Sequence, residues 1–263
     1  MILQDIINII ESVAPLSYQE DWDNSGLQVG NRNAEIKAAL LTVDVTESVV
    51  DEAILLGCDL IISHHPLLFR GLKQLTGSTP QERCVEKAIR HNISIYSAHT
   101  SIDSYLHGVS GRMAEKLGIE NYQILIPSAS NIQVGLGVIG ELKETMNSEE
   151  FVAHVAKVFA RPNAALRWVE GAKKMIKRVA LCGGAGAEFV EEAIAQGADA
   201  YVSADFKYHE LQSAYQRINV VDMDHWVSEH FTREIFEELL SPHIKTYIAS
   251  ADDSPVRYWK QEY

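Results

Sequence analysis

Two stretches of this chain are versions of one another, and that duplication constrains the fold more than any other feature. Residues 51–63 (DEAILLGCDLIIS) align without gaps on residues 191–203 (EEAIAQGADAYVS). Six of the thirteen positions are identical: Glu52/Glu192, Ala53/Ala193, Ile54/Ile194, Gly57/Gly197, Asp59/Asp199 and Ser63/Ser203. Chance would give roughly one such match, so an internal duplication is the better reading. The preceding apolar runs correspond as well, Ala39-Leu40-Leu41 with Val179-Ala180-Leu181. Further on, residues 95–103 (IYSAHTSID) parallel residues 221–229 (VDMDHWVSE), each a strand followed by a histidine and, four residues later, a carboxylate.

Within each copy, strand and helix alternate. Residues 38–43 read as a buried strand, and a helix over 46–57 follows with Thr46 as its N-cap and Gly57 at its C-terminal end. A strand over Leu60-Ile61-Ile62-Ser63, a helix over 80–91 and a strand over 93–97 complete the pattern. Such alternation predicts an α/β fold with parallel sheets, built as two related α/β halves. The expected seam lies near residues 126–137. It gives a first half over 1–127 that supplies His64, His65 and Asp103, and a second over 128–263 that supplies His225 and Glu229.

The rest of the composition narrows the setting. The N-terminus carries Asp5 where a signal peptide would be basic, and Ile2, Ile6, Ile9, Ile10 and Val13 recur at a helical period, so a packed helix is expected. No apolar run approaches the length of a membrane span. Three cysteines, Cys58, Cys84 and Cys182, lie far apart. Their spacing argues against a disulfide framework or a thiolate zinc site and suits the reducing cytoplasm. The formal net charge of -13 opposes polyanions, so nucleic acid is not an expected partner.

The histidines carry the chemistry. Neighbours on a strand point to opposite faces, but Pro66 ends the strand at His64-His65 and lets both imidazoles swing round together. His225 and Glu229 are four apart, on one face of a helix, and His99 and Asp103 repeat that spacing. His64, His65, Asp103, His225 and Glu229 are therefore the candidate metal ligands. Three imidazoles and two carboxylates overfill one tetrahedral site once water binds, so the set favours two ions. Mixed nitrogen and oxygen donors suit zinc, iron or manganese.

His99 is open between a ligand and a residue behind the ligands that shuttles a proton; the second role, that of candidate catalytic residue, is favoured. Asp205 aligns with His65 in the duplicated half and is either a support for a ligand or a solvated loop acid. The glycine-rich run Cys182-Gly183-Gly184-Ala185-Gly186 is a cradle for an anion or a tight turn, with the turn favoured.

Four of these stretches, WDNSGLQVG (22–30), SHHPLLF (63–69), AHTSIDS (98–104) and HWVSEHF (225–231), resemble the GTP cyclohydrolase I type 2 homologues, also called the Nif-three-like family. The resemblance runs over essentially the whole chain, in a short form without an inserted middle domain. It implies a dinuclear metal centre in a cleft between the halves, held by the same five residues, with His99 at or beside it. It further implies a toroidal homohexamer. Departures at Ala204, before Asp205, and at His107, before Gly108, touch none of the five.

The activity customarily assigned to that family is metal-dependent hydrolysis of a nucleotide, in which metal-activated water opens the imidazole ring of guanine. A dinuclear hydrolase of another small substrate is the second reading. A metal-binding, ring-shaped scaffold without this activity is the third. Five side chains leave positions open on two ions, which favours an enzyme over a closed structural site.

Overall fold

A computed structural model describes residues 1–129, 131–159 and 165–259. In chain order its strands are β1 (Gly26–Val29), β2 (Ala38–Thr42), β3 (Leu60–Ser63), β4 (Ser94–Ser97), β5 (Ile119–Pro127), β6 (Gly135–Asn147), β7 (Arg167–Val169), β8 (Met175–Ala185), β9 (Ala200–Ala204), β10 (Asn219–Met223) and β11 (Lys245–Ile248). Its helices are α1 (Leu3–Glu11), α2 (Glu47–Leu56), α3 (Pro80–Arg90), α4 (Thr100–Asp103), α5 (Val109–Leu117), α6 (Ser148–Val158), α7 (Val190–Ala195), α8 (Tyr208–Ala214), α9 (His225–Glu229) and α10 (Thr232–Leu240).

These elements group into two compact units, one of Met1–Ile102 with His230–Asp253, the other of Asp103–Glu229 with Ser254 onward. The grouping differs from a cut at 127/128 for two physical reasons. Strand β5 pairs antiparallel with β6, which pairs with β8, so residues from 119 onward belong to the second sheet. Strand β11 returns to the first unit and pairs parallel with β2. The stretch expected as a seam is the connection between β5 and β6.

The first sheet has the order β1-β4-β3-β2-β11 and the second the order β5-β6-β8-β9-β10-β7. Each contains the same motif: three parallel strands with a short antiparallel strand on the far edge. In the first, β2, β3 and β4 are parallel and β1 runs antiparallel to β4. In the second, β8, β9 and β10 are parallel and β7 runs antiparallel to β10. Strands β2, β3 and β4 are buried at every residue, as parallel strands covered on both faces must be.

The duplicated aspartates show that the copies share more than pattern. Asp59 donates its backbone N–H to the Ala38 carbonyl, and its Oδ2 accepts from Lys37 N at 2.8 Å. Asp199 donates to the Arg178 carbonyl, and its Oδ2 accepts from Lys177 N at 2.9 Å and Arg178 N at 2.8 Å. Each acid thus ties the start of one strand to the start of its neighbour.

Local signals behave as chemistry requires. The Thr46 side chain accepts from Val49 N and Gly57 takes a left-handed φ of 68°, so α2 is capped at both ends. In α1 the buried face is Leu3, Ile6, Ile7 and Ile10, an i, i+3, i+4, i+7 stripe, and it corrects the expected face, since Ile2 is exposed and Ile9 and Val13 are only partly buried. All three cysteines are free and buried. Among the described residues no helix is long and apolar enough to cross a membrane.

Asp199 yields a direct test of the staple. Burial alone would raise its pKa, but the Lys173 ammonium and the two backbone N–H groups outweigh burial and hold it below the ordinary carboxylate range. A group depressed in the folded state stabilises fully above its unfolded pKa and loses that contribution as pH falls through its folded value. Asp199→Ala should therefore cost about 2 kcal/mol in urea unfolding at neutral pH, and the deficit should shrink on acidification. A deficit that stays constant down to acid unfolding would contradict the staple.

Candidate metal centre

In the first unit, β3 and β4 end side by side, and the histidines follow directly. The His64 N–H donates to the Thr42 carbonyl and that of His65 to the Val43 carbonyl, so both residues remain attached to β2 as the chain leaves β3. The chain bends at His64 and His65 themselves, just ahead of Pro66. The rings of His64 and His65 lie 4.9 Å apart, and His99, just beyond β4, lies 5.3 Å from the first and 5.4 Å from the second. One ring nitrogen from each of the three falls within 4.8 Å of the others. His99 therefore stands among the candidate ligands.

The hydrogen bonds decide which nitrogen is offered. His64 Nδ1 faces the Ala98 carbonyl at 3.1 Å, His65 Nδ1 the Asp44 carboxylate at 2.9 Å, and His99 Nδ1 the Asp23 carboxylate at 2.8 Å. Carbonyl and carboxylate oxygens only accept, so each Nδ1 carries its hydrogen and each Nε2 is the donor atom left for a cation. Asp23 is deeply held: its side chain is 0% exposed and takes N–H and O–H bonds from Asn24, Ser25 and Thr100 besides His99. Burial would raise its pKa, but the bonds from His99 and Thr100 outweigh burial and keep it well below the usual carboxylate range.

The second unit repeats the device. His225 opens α9 with Nδ1 2.7 Å from Asp205 Oδ2 and Nε2 3.1 Å from Glu229 Oε2, and the four-residue spacing does place imidazole and carboxylate together. Burial alone would lower the His225 pKa, but Glu229 and Asp205 on either side push it up to about 11. Asp205 adopts a left-handed φ of 60°, which an aspartate tolerates better than most residues, and from there its exposed carboxylate holds His225. Asp103 ends α4 in the same unit. Burial, with the charges of Asp103 and Glu229 adding to it, pushes the Cys182 thiol far above its usual pKa, so this cysteine is a neutral packing group.

The glycine-rich run is neither an anion cradle nor a tight turn. Strand β8 continues through it to Ala185, with a register break against β9 between Leu181 and Ala185. The Gly183 and Gly184 N–H groups donate to the hydroxyls of Ser110 and Ser228. A Cβ on Gly184, whose φ is +65°, would lie 2.2 Å from Glu229 Oε1. The missing side chain makes room for the carboxylate.

Two participants escaped the sequence reading. Asp44 follows β2 with no motif around it, although the duplication sets it opposite Gly184. Asp23 lies inside WDNSGLQVG, a stretch that carries the family resemblance without marking this aspartate as a support for His99.

A two-sheet α/β protein carrying clustered imidazoles and a histidine–carboxylate pair at strand ends is the class this architecture defines. The family model described as Duf34/NIF3 (NGG1p interacting factor 3) matches residues 1–255, and the chain belongs to that family. A protein of Clostridium acetobutylicum named GTP cyclohydrolase 1 type 2 homolog is 36% identical over 230 residues, covering 86% of this chain and 85% of the relative. A Campylobacter jejuni protein of the same name is 32% identical and covers 98% of this chain and 100% of the relative. The crystal structure of a Bacillus cereus protein related to NIF3 superposes with a TM-score of 0.89 at 24% identity, over 98% of this chain and 99% of that one, which shows the shared fold.

The Gly184 cradle is open to mutation. Gly197 also has a positive φ, +77°, but open space where a Cβ would go. Gly197→Ala should cost roughly 1 kcal/mol from backbone conformation alone, and Gly184→Ala at least about 1 kcal/mol more from displacing Glu229. Equal losses in denaturant unfolding would mean that Glu229 does not occupy the space.

Proposed function

We propose that this chain binds two divalent metal ions through His64, His65, Asp103, His225 and Glu229 and uses them in hydrolysis of a nucleotide. The observation that carries the reading is the uniform fixing of Nδ1 on four imidazoles, two of them backed by Asp44 and Asp205 and a third, His99, backed by Asp23. Backing of that kind is what metal-ligating histidines carry, because it sets the tautomer and raises the basicity of Nε2. The donor set fits a cation on a second count: the carboxylates of Asp205 and Glu229 lie on either side of His225, so the local charge favours a cation there. Nitrogen and oxygen donors without a thiolate suit zinc, iron or manganese.

When bound, such ions supply Lewis acidity and lower the pKa of water to about 7. The chain's own groups do the rest. Asp23 holds His99 Nδ1 and leaves Nε2, beside His64 and His65, to take up or release a proton. Guanosine triphosphate is the substrate suggested by the names of the relatives. We also propose assembly as a toroidal homohexamer in the cytoplasm.

Element analysis of purified protein should find about two transition-metal ions per chain, and Glu229→Ala should lose them. Asp44→Asn and Asp205→Asn should weaken metal retention against a chelator by roughly 10- to 100-fold while leaving the fold intact. Protein that neither carries nor takes up metal overturns the reading. Formate release from GTP tests the substrate separately: turnover no higher than that of Glu229→Ala removes the cyclohydrolase activity and leaves metal binding standing.

A further inference from the structure

Beside the imidazole trio, two large aromatic rings are left in water. Trp22 is 59% exposed and Phe69 45% exposed. Their centroids lie 6.0 Å apart, and His99 meets both edge-on, at 6.0 Å from Trp22 and 6.4 Å from Phe69. Rings of this size are usually covered, and a side chain needed only to shield His99 would bury its own face in doing so.

The backbone under both rings is fixed. Asp23, next to Trp22, is locked by its bonds to His99, Thr100, Ser25 and Asn24. Asn24 Nδ2 donates to the Leu68 carbonyl at 2.6 Å, and Leu68 N donates to Gln28 Oε1 at 3.1 Å, one residue before Phe69. Gln28 Nε2 closes the loop by donating to the Asn24 carbonyl at 2.7 Å. The polar residues of WDNSGLQ thus tie the turn that carries Trp22 to the turn that carries Phe69. This is preorganisation: two exposed aromatic faces held in place before anything binds. Arg70 and Lys73 follow Phe69 on the same exposed stretch, two cations in a chain of net charge -13, which suits a phosphorylated ligand.

We infer that Trp22 and Phe69 form the recognition site for a planar nitrogen heterocycle, the base of a nucleotide, which stacks on them and is presented edge-on to His99. The inference deepens the proposed function and rests on it for the chemistry presented to the ring, but not for the binding itself. Stacking on an aromatic side chain is tolerant of sequence and substituents because every base has a π-face.

The test measures equilibrium binding of guanosine 5′-monophosphate and of ribose 5-phosphate to wild type, Trp22→Ala, Trp22→Phe and Phe69→Ala. Each is assayed metal-loaded and after chelator stripping, with circular dichroism to verify the fold. Trp22→Ala should weaken the nucleotide roughly 5- to 100-fold, Trp22→Phe much less, and ribose 5-phosphate not at all. The same losses should appear in stripped protein, so a failure of metal binding leaves this result intact. Wild-type nucleotide affinity in both alanine variants, no measurable binding by wild type, or an equal loss for ribose 5-phosphate would overturn the assignment.

Discussion

An imidazole has two nitrogens, and a site built from imidazoles works only if one of them is spent on holding the ring still. Four described histidines at the candidate centre, His64, His65, His99 and His225, spend Nδ1 in that way, three on aspartates and one on a backbone carbonyl. The carboxylates must themselves be secured, and Asp23 shows the extent of that requirement, since a whole turn wraps around its two oxygens. Each sheet serves this end by ending its parallel strands side by side, where side chains can converge without interrupting a hydrogen-bond ladder.

Duplication explains how two such arrangements came to exist in one chain, and divergence explains why they differ. Asp59 and Asp199 retain the same job of tying neighbouring strands at their starts. At the other ends of those strands the copies have parted. The aspartate that supports His65 in the first copy, Asp44, has Gly184 at its place in the second, where an absent side chain admits Glu229. The histidine of the first copy, His65, has Asp205 at its place, and that aspartate now supports His225. One position of the scaffold thus carries an imidazole in the first copy and, in the second, a carboxylate that supports an imidazole.

What the sequence made legible follows from range. Fully buried parallel strands are continuous apolar runs, so β2 and β3 stand out, and a four-residue spacing on a helix turn brings His225 to Glu229 whatever else the fold does. The supports were harder to read because they come from far away: Asp44 is 21 residues from His65, and Asp23 is 76 from His99. No local pattern marks such a pairing. The glycine-rich run read as a turn because glycine is the usual residue of turns, yet here it makes room inside a bulged strand. Strand β11 was invisible for a different reason: with its ends exposed and its middle only partly covered, it lacks the apolar signature of its neighbours.

That last strand has a consequence for the newborn chain. The first sheet is interrupted after Ile102, and its edge partner for β2 arrives only with Lys245–Ile248, after the second unit has been made. Throughout synthesis of the intervening segment, β2 presents an open row of backbone donors and acceptors on its outer side, the feature most prone to pairing with a neighbouring chain. Closure then depends on a contact about two hundred residues long in sequence, which is slow to find by diffusion. Completion of the N-terminal unit is thus a late event, which must wait until Lys245–Ile248 has been made.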